Sequence, residues 1–151
     1  MIMNTIPLLT FFLLLTISIC KSQVNDTWQR VETSTNQNLF IDLAGLEHYT
    51  DDDIYVWVLE NYNEPIELES NGEEAIQSKT YYLFNKQLKM YSLLEIIYYN
   101  DQGAITEYFN YWRDTSIDSY KYNYPIVEGS VEENILDSCV EFIDTNRLEL
   151  E

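Results

Sequence analysis

Side chains capable of covalent or acid–base chemistry are few in this sequence of 151 residues. It holds one histidine, His48, and two cysteines, Cys20 and Cys139. A nucleophile needs a general base within hydrogen-bonding reach, and His48 precedes an acidic loop while Cys139 lies on an apolar pattern that predicts burial. The four glycines form no phosphate-binding motif, and no Cys/His spacing fits a zinc site. We therefore expect no enzyme, and neither a metal nor a resident cofactor.

The strongest local cluster of carboxylates is Asp51-Asp52-Asp53, with Glu47 and His48 just before it. Three adjacent carboxylates repel one another, and a Ca²⁺ ion would relieve that repulsion. The alternating acidic pattern of a calcium loop is absent, however, so a solvated loop is the favoured interpretation. The 26 acidic residues could also include a pair of carboxylates placed for glycoside hydrolysis. A secreted hydrolase is therefore kept as the weakest alternative function.

The overall charge is strongly negative, with 26 acidic against 8 basic residues and a net charge of −18. Such a surface repels nucleic acid and anionic lipid, so we expect no nucleic-acid partner. It favours basic partners or cations. The alternative is that the acidic residues only keep the domain soluble.

Aromatic residues are abundant, with 13 tyrosines and 3 tryptophans. Many fall on predicted strands, where alternation prevents them from all being buried on one side. Tyrosine and tryptophan offer large contact areas and are enriched where proteins bind partners, although a large sheet also uses tyrosine simply because it tolerates partial burial. The predicted partner-binding residues are Tyr55, Trp57, Tyr82, Tyr98 and Tyr99.

The N-terminus has the pattern of a secretory signal. Residues 6–19 are uncharged and largely Leu, Ile and Phe, and polar sequence follows at once. The run is shorter than the roughly 20 residues of a membrane-spanning helix, and no Lys or Arg precedes it. We predict cleavage after Cys20 or Ser22, which gives a signal peptide at 1–22, an exported domain at 23–151 and no transmembrane segment after cleavage. A short membrane anchor, a buried helix and lipidation of Cys20 are the alternatives.

The remaining sequence predicts several short strands followed by one helix. The strongest strand is Ile54–Tyr62, where Ile54, Val56 and Val58 share one face. The acidic stretch Asn63–Ser78 predicts a long exposed loop. Hairpin turns are predicted at 85–88 and 100–103, and 110–124 is predicted to be a connection. The other predicted strands are Trp28–Glu32, Asn38–Asp42, Lys79–Phe84, Lys89–Tyr99 and Ala104–Phe109.

The chain closes with a predicted amphipathic helix. Ser130 and Glu133 form a capping box, and apolar residues recur behind it at helical spacing. A helix with one apolar stripe needs cover, and one face of the sheet is the available cover. The residues predicted to pack against the sheet are Val131, Ile135, Cys139 and Phe142. The fold class is thus α+β, an antiparallel sheet of about six strands with a C-terminal helix across one face.

Several segments in order resemble the bacterial surface-adhesin E family. They include Leu39-Phe40-Ile41-Asp42, Val56-Trp57-Val58 and, most specifically, Pro125-Ile126-Val127-Glu128-Gly129-Ser130 before the helix. The resemblance covers nearly the whole chain after the signal and implies the same sheet-and-helix fold. It also implies a Gram-negative surface protein that binds host matrix or serum proteins such as vitronectin, laminin and plasminogen, and that can bind haem.

One departure from the family pattern concerns the disulfide that usually tethers the helix. Cys139 matches the helix cysteine, but the expected partner position falls on Lys86, and no cysteine occurs from Val24 to Ser138. Losing such a closure costs roughly 2–5 kcal/mol. The helix must therefore be held by packing alone.

The leading hypothesis is a non-enzymatic exported binding protein, located in the periplasm, on the cell surface or in the medium. Its partner would contact an aromatic, acid-rimmed surface of the sheet. The alternative is a periplasmic domain that binds haem or another small ligand between helix and sheet, where tyrosine is one possible axial ligand. The sequence does not define an oligomeric state.

Overall fold

The computed structural model describes residues 27–33, 37–44, 46, 51–111 and 121–149. They form one antiparallel sheet in the order β1-β2-β3-β4-β5-β6, with a short β7 paired to β5, and a C-terminal helix. This confirms the predicted fold class. The predicted signal peptide, residues 1–22, lies outside the described residues. The strands are β1 (Trp28–Val31), β2 (Asn38–Asp42), β3 (Asp53–Glu67), β4 (Glu74–Asn85), β5 (Met90–Tyr99), β6 (Ile105–Asn110) and β7 (Tyr124–Pro125), and the helix is α1 (Val131–Glu149).

The hydrophobic core lies between the sheet and α1. Alternation along β3 points Ile54, Val56 and Val58 into it, and each is at most 3% exposed. β1, β2 and β4 add apolar residues to the same face. Burying this surface is the main favourable contribution to folding. The core residues of the sheet are Val31, Leu39, Ile41, Ile54, Val56, Val58 and Phe84.

Helix α1 lies over this face and is capped as the sequence predicts. The Glu133 amide donates to the Ser130 hydroxyl at 3.2 Å. The Glu133 carboxylate in turn accepts from the Gly129 amide at 2.7 Å, one residue earlier than in the usual box. The helix runs to Glu149. Within the part of the chain that the structure describes, no helix is long and apolar enough to cross a membrane.

The residues predicted to pack against the sheet all lie on the core side of α1. Ile135 and Cys139 are fully buried, and Val131 and Phe142 pack against the core as partly buried residues. Leu136 and Ile143 belong to the same stripe. An ion pair of 3.9 Å between Lys89 and Asp137 joins the outer side of α1 to the turn after β4.

The predicted loop at Asn63–Ser78 is wrong. β3 continues to Glu67 and β4 begins at Glu74, so the connection is only residues 68–73. The pairing is irregular between Asn61 and Ile66 and then resumes at Ile66 opposite Ala75. Pro65 and the acidic residues of this stretch are mostly exposed. The acidic composition of this stretch reflects the solvent exposure of a long hairpin and not the absence of strands.

The two other hairpin turns form where the sequence places them. The Asn85 side chain accepts hydrogen bonds from the amides of Gln87 and Leu88. The Asn100 side chain does the same for Gln102 and Ala104. Such turns are an established use of asparagine.

Candidate functional site

The face of the sheet opposite α1, here called the distal face, carries a row of aromatic rings. Register places Trp57 of β3 directly opposite Tyr81 of β4. Their rings stack with centroids 4.8 Å apart and planes 21° apart. Tyr55 lies beside Tyr81 at 6.1 Å. These side chains are partly exposed rather than buried, so the row presents aromatic surface to solvent.

An aromatic groove crosses the distal face from β1 to β5. Its volume is about 310 Å³, and its lining residues are Trp28, Asp42, Trp57, Lys79, Ile97 and Tyr99. The Lys79 ammonium lies 5.3 Å from the centre of the Trp28 ring and 6.0 Å from that of Tyr99. Both distances are within the range of cation–π attraction. The groove thus combines ring surface, one cation and one carboxylate, which suits mixed apolar and polar contacts with a partner.

The five aromatic residues predicted to bind a partner are divided between the two faces. Tyr55, Trp57 and Tyr99 lie on the distal face, the last two in the aromatic groove. Tyr82 lies on the α1 side, where it stacks on Phe84 at 5.1 Å and packs against the core. Burial raises the pKa of Tyr82 far above its ordinary value. In this structure Tyr82 is part of the packing between sheet and helix.

Tyr98 lies on the α1 side of the sheet, in a second cavity. This acidic pocket has a volume of about 480 Å³ and is lined by Leu68, Glu69, Ser70, Tyr98, Glu107 and Phe109. The rings of Tyr98 and Phe109 meet edge to face, with centroids 6.2 Å apart. Burial raises the pKa of Tyr98, and Tyr111 and Glu107 raise it further.

A polar cluster closes one end of the distal face. Asp53, at the start of β3, accepts hydrogen bonds from Lys121, Tyr122 and Asn85. The Ser92 hydroxyl of β5 donates to the Lys121 carbonyl at 2.9 Å. These contacts hold residues 121–123 against the sheet. Leu83 of the distal face is 0% exposed, in contrast to the partly exposed aromatic groove.

The acidic run at 51–53 makes structural contacts within the chain, since Asp53 and Asp52 both interact with lysine side chains. Burial disfavours the Asp53 carboxylate, but its hydrogen bonds, that of Lys121 first, outweigh burial and hold its pKa below the ordinary value of an aspartate. Asp52 lies 3.7 Å from the Lys86 ammonium. Glu47 and His48 lie outside the described residues, and among the described residues no three His, Cys, Asp or Glu side chains are grouped to hold a metal ion.

The thiol of Cys139 is fully buried in the core and is free. Burial raises its pKa to about 12, so the thiol is protonated and inert at neutral pH. Cys139 therefore fills core volume as a small apolar side chain.

Three residues of the distal face were absent from the predicted site: Trp28, Lys79 and Tyr81. Strand alternation could have placed Tyr81 on the distal face, because Lys79, Tyr81 and Leu83 are spaced two residues apart along β4 and therefore point to the same side of the sheet. Grouping Trp28 with Lys79 requires the register of four strands, which a single sequence does not supply.

Comparison with protein families identifies a match for this chain. The family model described as surface-adhesin protein E matches residues 28–138, a span that begins with β1 and ends within α1. No curated protein and no solved structure matches the chain significantly.

Proposed function

The chain belongs to the surface-adhesin protein E family, and on that premise we propose that it is an exported, non-enzymatic protein that binds host extracellular-matrix or serum proteins. The aromatic groove is the proposed contact surface. The match spans all seven strands, so the family membership rests on the whole sheet and not on one short motif.

The structural observation on which this proposal chiefly rests is the aromatic groove on the distal face. Tryptophan and tyrosine dominate the binding energy of many protein interfaces, and Trp28, Trp57 and Tyr99 line one groove here. Their rings are only partly buried by the chain itself. A partner that covered them would gain apolar burial without unfolding any element of the sheet.

The charge of the chain supports a partner with a basic surface. Complementary charge speeds encounter and selects against acidic partners, and the net charge of this chain is −18. Binding should therefore weaken as the salt concentration rises.

The alternative of a haem or small ligand between helix and sheet finds no support in the packing. Phe84, Ile135 and Cys139 fill that layer and are each 0% exposed. Both the aromatic groove and the acidic pocket lie outside it. A ligand there would have to displace core side chains.

A solid-phase binding assay tests the proposal directly. The chain is expressed with its N-terminal segment in a Gram-negative host, and the exported product is purified. Intact mass should show loss of residues 1–20 or 1–22, unless a lipid is attached at Cys20. The product is then passed over immobilised vitronectin, laminin and plasminogen, with albumin as the control surface.

We expect saturable binding to at least one of these proteins and none to albumin, with a loss of affinity at high salt. Absence of saturable binding to all three would contradict the proposed role. A shift of the haem absorption band on titration with haemin would support the alternative function instead.

A further inference from the structure

The acidic pocket is built by three separate parts of the sheet. Leu68, Glu69 and Ser70 come from the turn between β3 and β4, Tyr98 comes from β5, and Glu107 and Phe109 come from β6. The turn bends over β5 and reaches β6, where the Asn71 side-chain amide donates to the Thr106 carbonyl at 3.2 Å. The pocket therefore lies between the aromatic residues of the sheet and the turn, and it is open to solvent.

The turn is held in place by its own contacts. The Leu68 amide donates to the Glu73 carbonyl at 2.8 Å, and the Gly72 amide donates to the Leu68 carbonyl at 2.8 Å. Leu68 is only 6% exposed, so it anchors the turn against the sheet. The backbone of the turn is thus fixed before any ligand arrives, which lowers the entropic cost of binding.

The carboxylates of this pocket have no cationic partner among the described residues. The ion pairs in the described part of the chain join Lys86 to Asp52, Lys89 to Asp137 and Lys121 to Asp53. Lys79 lies in the aromatic groove on the other face. Glu69 and Glu107 therefore provide negative charge beside aromatic rings, and no cation of residues 27–33, 37–44, 46, 51–111 or 121–146 pairs with them.

We propose that the acidic pocket binds the guanidinium group of an arginine side chain in a basic peptide segment of a partner. This site is separate from the aromatic groove, and the proposal does not rest on the proposed function. A guanidinium stacks on aromatic rings and donates paired hydrogen bonds to a carboxylate. Tyr98 and Phe109 supply the rings, and Glu69 and Glu107 supply the carboxylates.

The test titrates the ¹⁵N-labelled exported product described above with a capped Gly-Arg-Gly peptide and follows backbone amide shifts. The matched peptide has citrulline in place of arginine, which keeps the shape and removes the charge. Glu107→Gln is the site variant. Glu128→Gln is the control variant, because Glu128 is an exposed carboxylate in the turn before α1 and its loss changes the net charge equally.

We expect the arginine peptide to shift the amides of Glu69, Tyr98, Glu107 and Phe109 first and the citrulline peptide to leave them unchanged. Glu107→Gln should weaken binding by about tenfold, the equivalent of one charge-assisted hydrogen bond, and Glu128→Gln should not. The midpoint of thermal unfolding of each variant verifies that it is folded.

Two results would overturn the proposal. One is the absence of any shift at peptide concentrations up to tens of millimolar. The other is a set of shifts spread over the acidic surface, with Glu107→Gln and Glu128→Gln equally weakened, which would mean diffuse attraction to the net charge. Either result leaves the binding of matrix proteins at the aromatic groove unaffected, so the two proposals fail separately.

Discussion

At the scale of single residues, Asp53 fixes the segment that covers one end of the distal face. Its carboxylate accepts hydrogen bonds from Asn85 of the neighbouring strand and from Lys121 and Tyr122, which are 68 and 69 residues further along the chain. A carboxylate that accepts several hydrogen bonds from cationic and polar donors is stabilised in its charged form. Residues 121–123 are therefore attached to the start of β3, and the aromatic groove is left open at the other end.

Replacing Asp53 should destabilise the protein in a pH-dependent way. The pKa of Asp53 is lowered in the folded state, so its stabilising effect is complete above the unfolded pKa of about 4 and is lost as the pH falls through the folded value. Asp53→Asn should lower the free energy of unfolding by about 1.5–3 kcal/mol at pH 7. The difference from wild type should shrink below about pH 4, as measured by urea unfolding.

Asp52→Asn is the matched control for this prediction. Asp52 is adjacent in sequence, its side chain is 54% exposed, and its separation from Lys86 is 3.7 Å. An exposed pair of this kind contributes about 0–1 kcal/mol. Equal losses in the two variants, or a loss in Asp53→Asn that does not depend on pH, would contradict the role given to Asp53.

At the scale of elements, alternation and capping were sufficient to predict most of the fold. β2 and the start of α1 lie where the sequence places them, because local pattern and tertiary contact agree there. The hairpin of β3 and β4 is longer than the sequence predicts, because Glu64, Pro65 and their neighbours have the composition of a loop. Ala75 and Leu68, both buried, are the residues that keep this hairpin on the sheet.

Packing of α1 without a disulfide is the element-level feature that mutation tests most simply. Ile135 is fully buried against the sheet, so Ile135→Ala should lower the free energy of unfolding by about 2–5 kcal/mol. Glu141→Ala, at an exposed position of the same helix, should change it by less than about 0.5 kcal/mol. Urea unfolding measures both. Equal stabilities of Ile135→Ala and wild type would show that α1 does not cover the core.

At the scale of the whole molecule, the two faces of the sheet contribute differently to stability and to the proposed binding. One face forms the core together with α1 and, beyond the helix, carries the acidic pocket, and the other face carries the aromatic groove. Adjacent residues such as Tyr98 and Tyr99 must point to opposite faces, so part of this division follows from the sequence. The acidic pocket does not, because it depends on how far the turn at 68–73 bends toward β6.

The most direct test of the central claim compares two aromatic variants in binding to the matrix or serum proteins named above. Trp57→Ala removes a wall of the aromatic groove. Tyr124→Ala removes an aromatic residue that is 46% exposed and packs on Tyr91 at the α1 side. We predict that Trp57→Ala raises the dissociation constant by about tenfold or more, while Tyr124→Ala leaves it unchanged. Equal affinities of the two variants would contradict the assignment of the distal face as the binding surface.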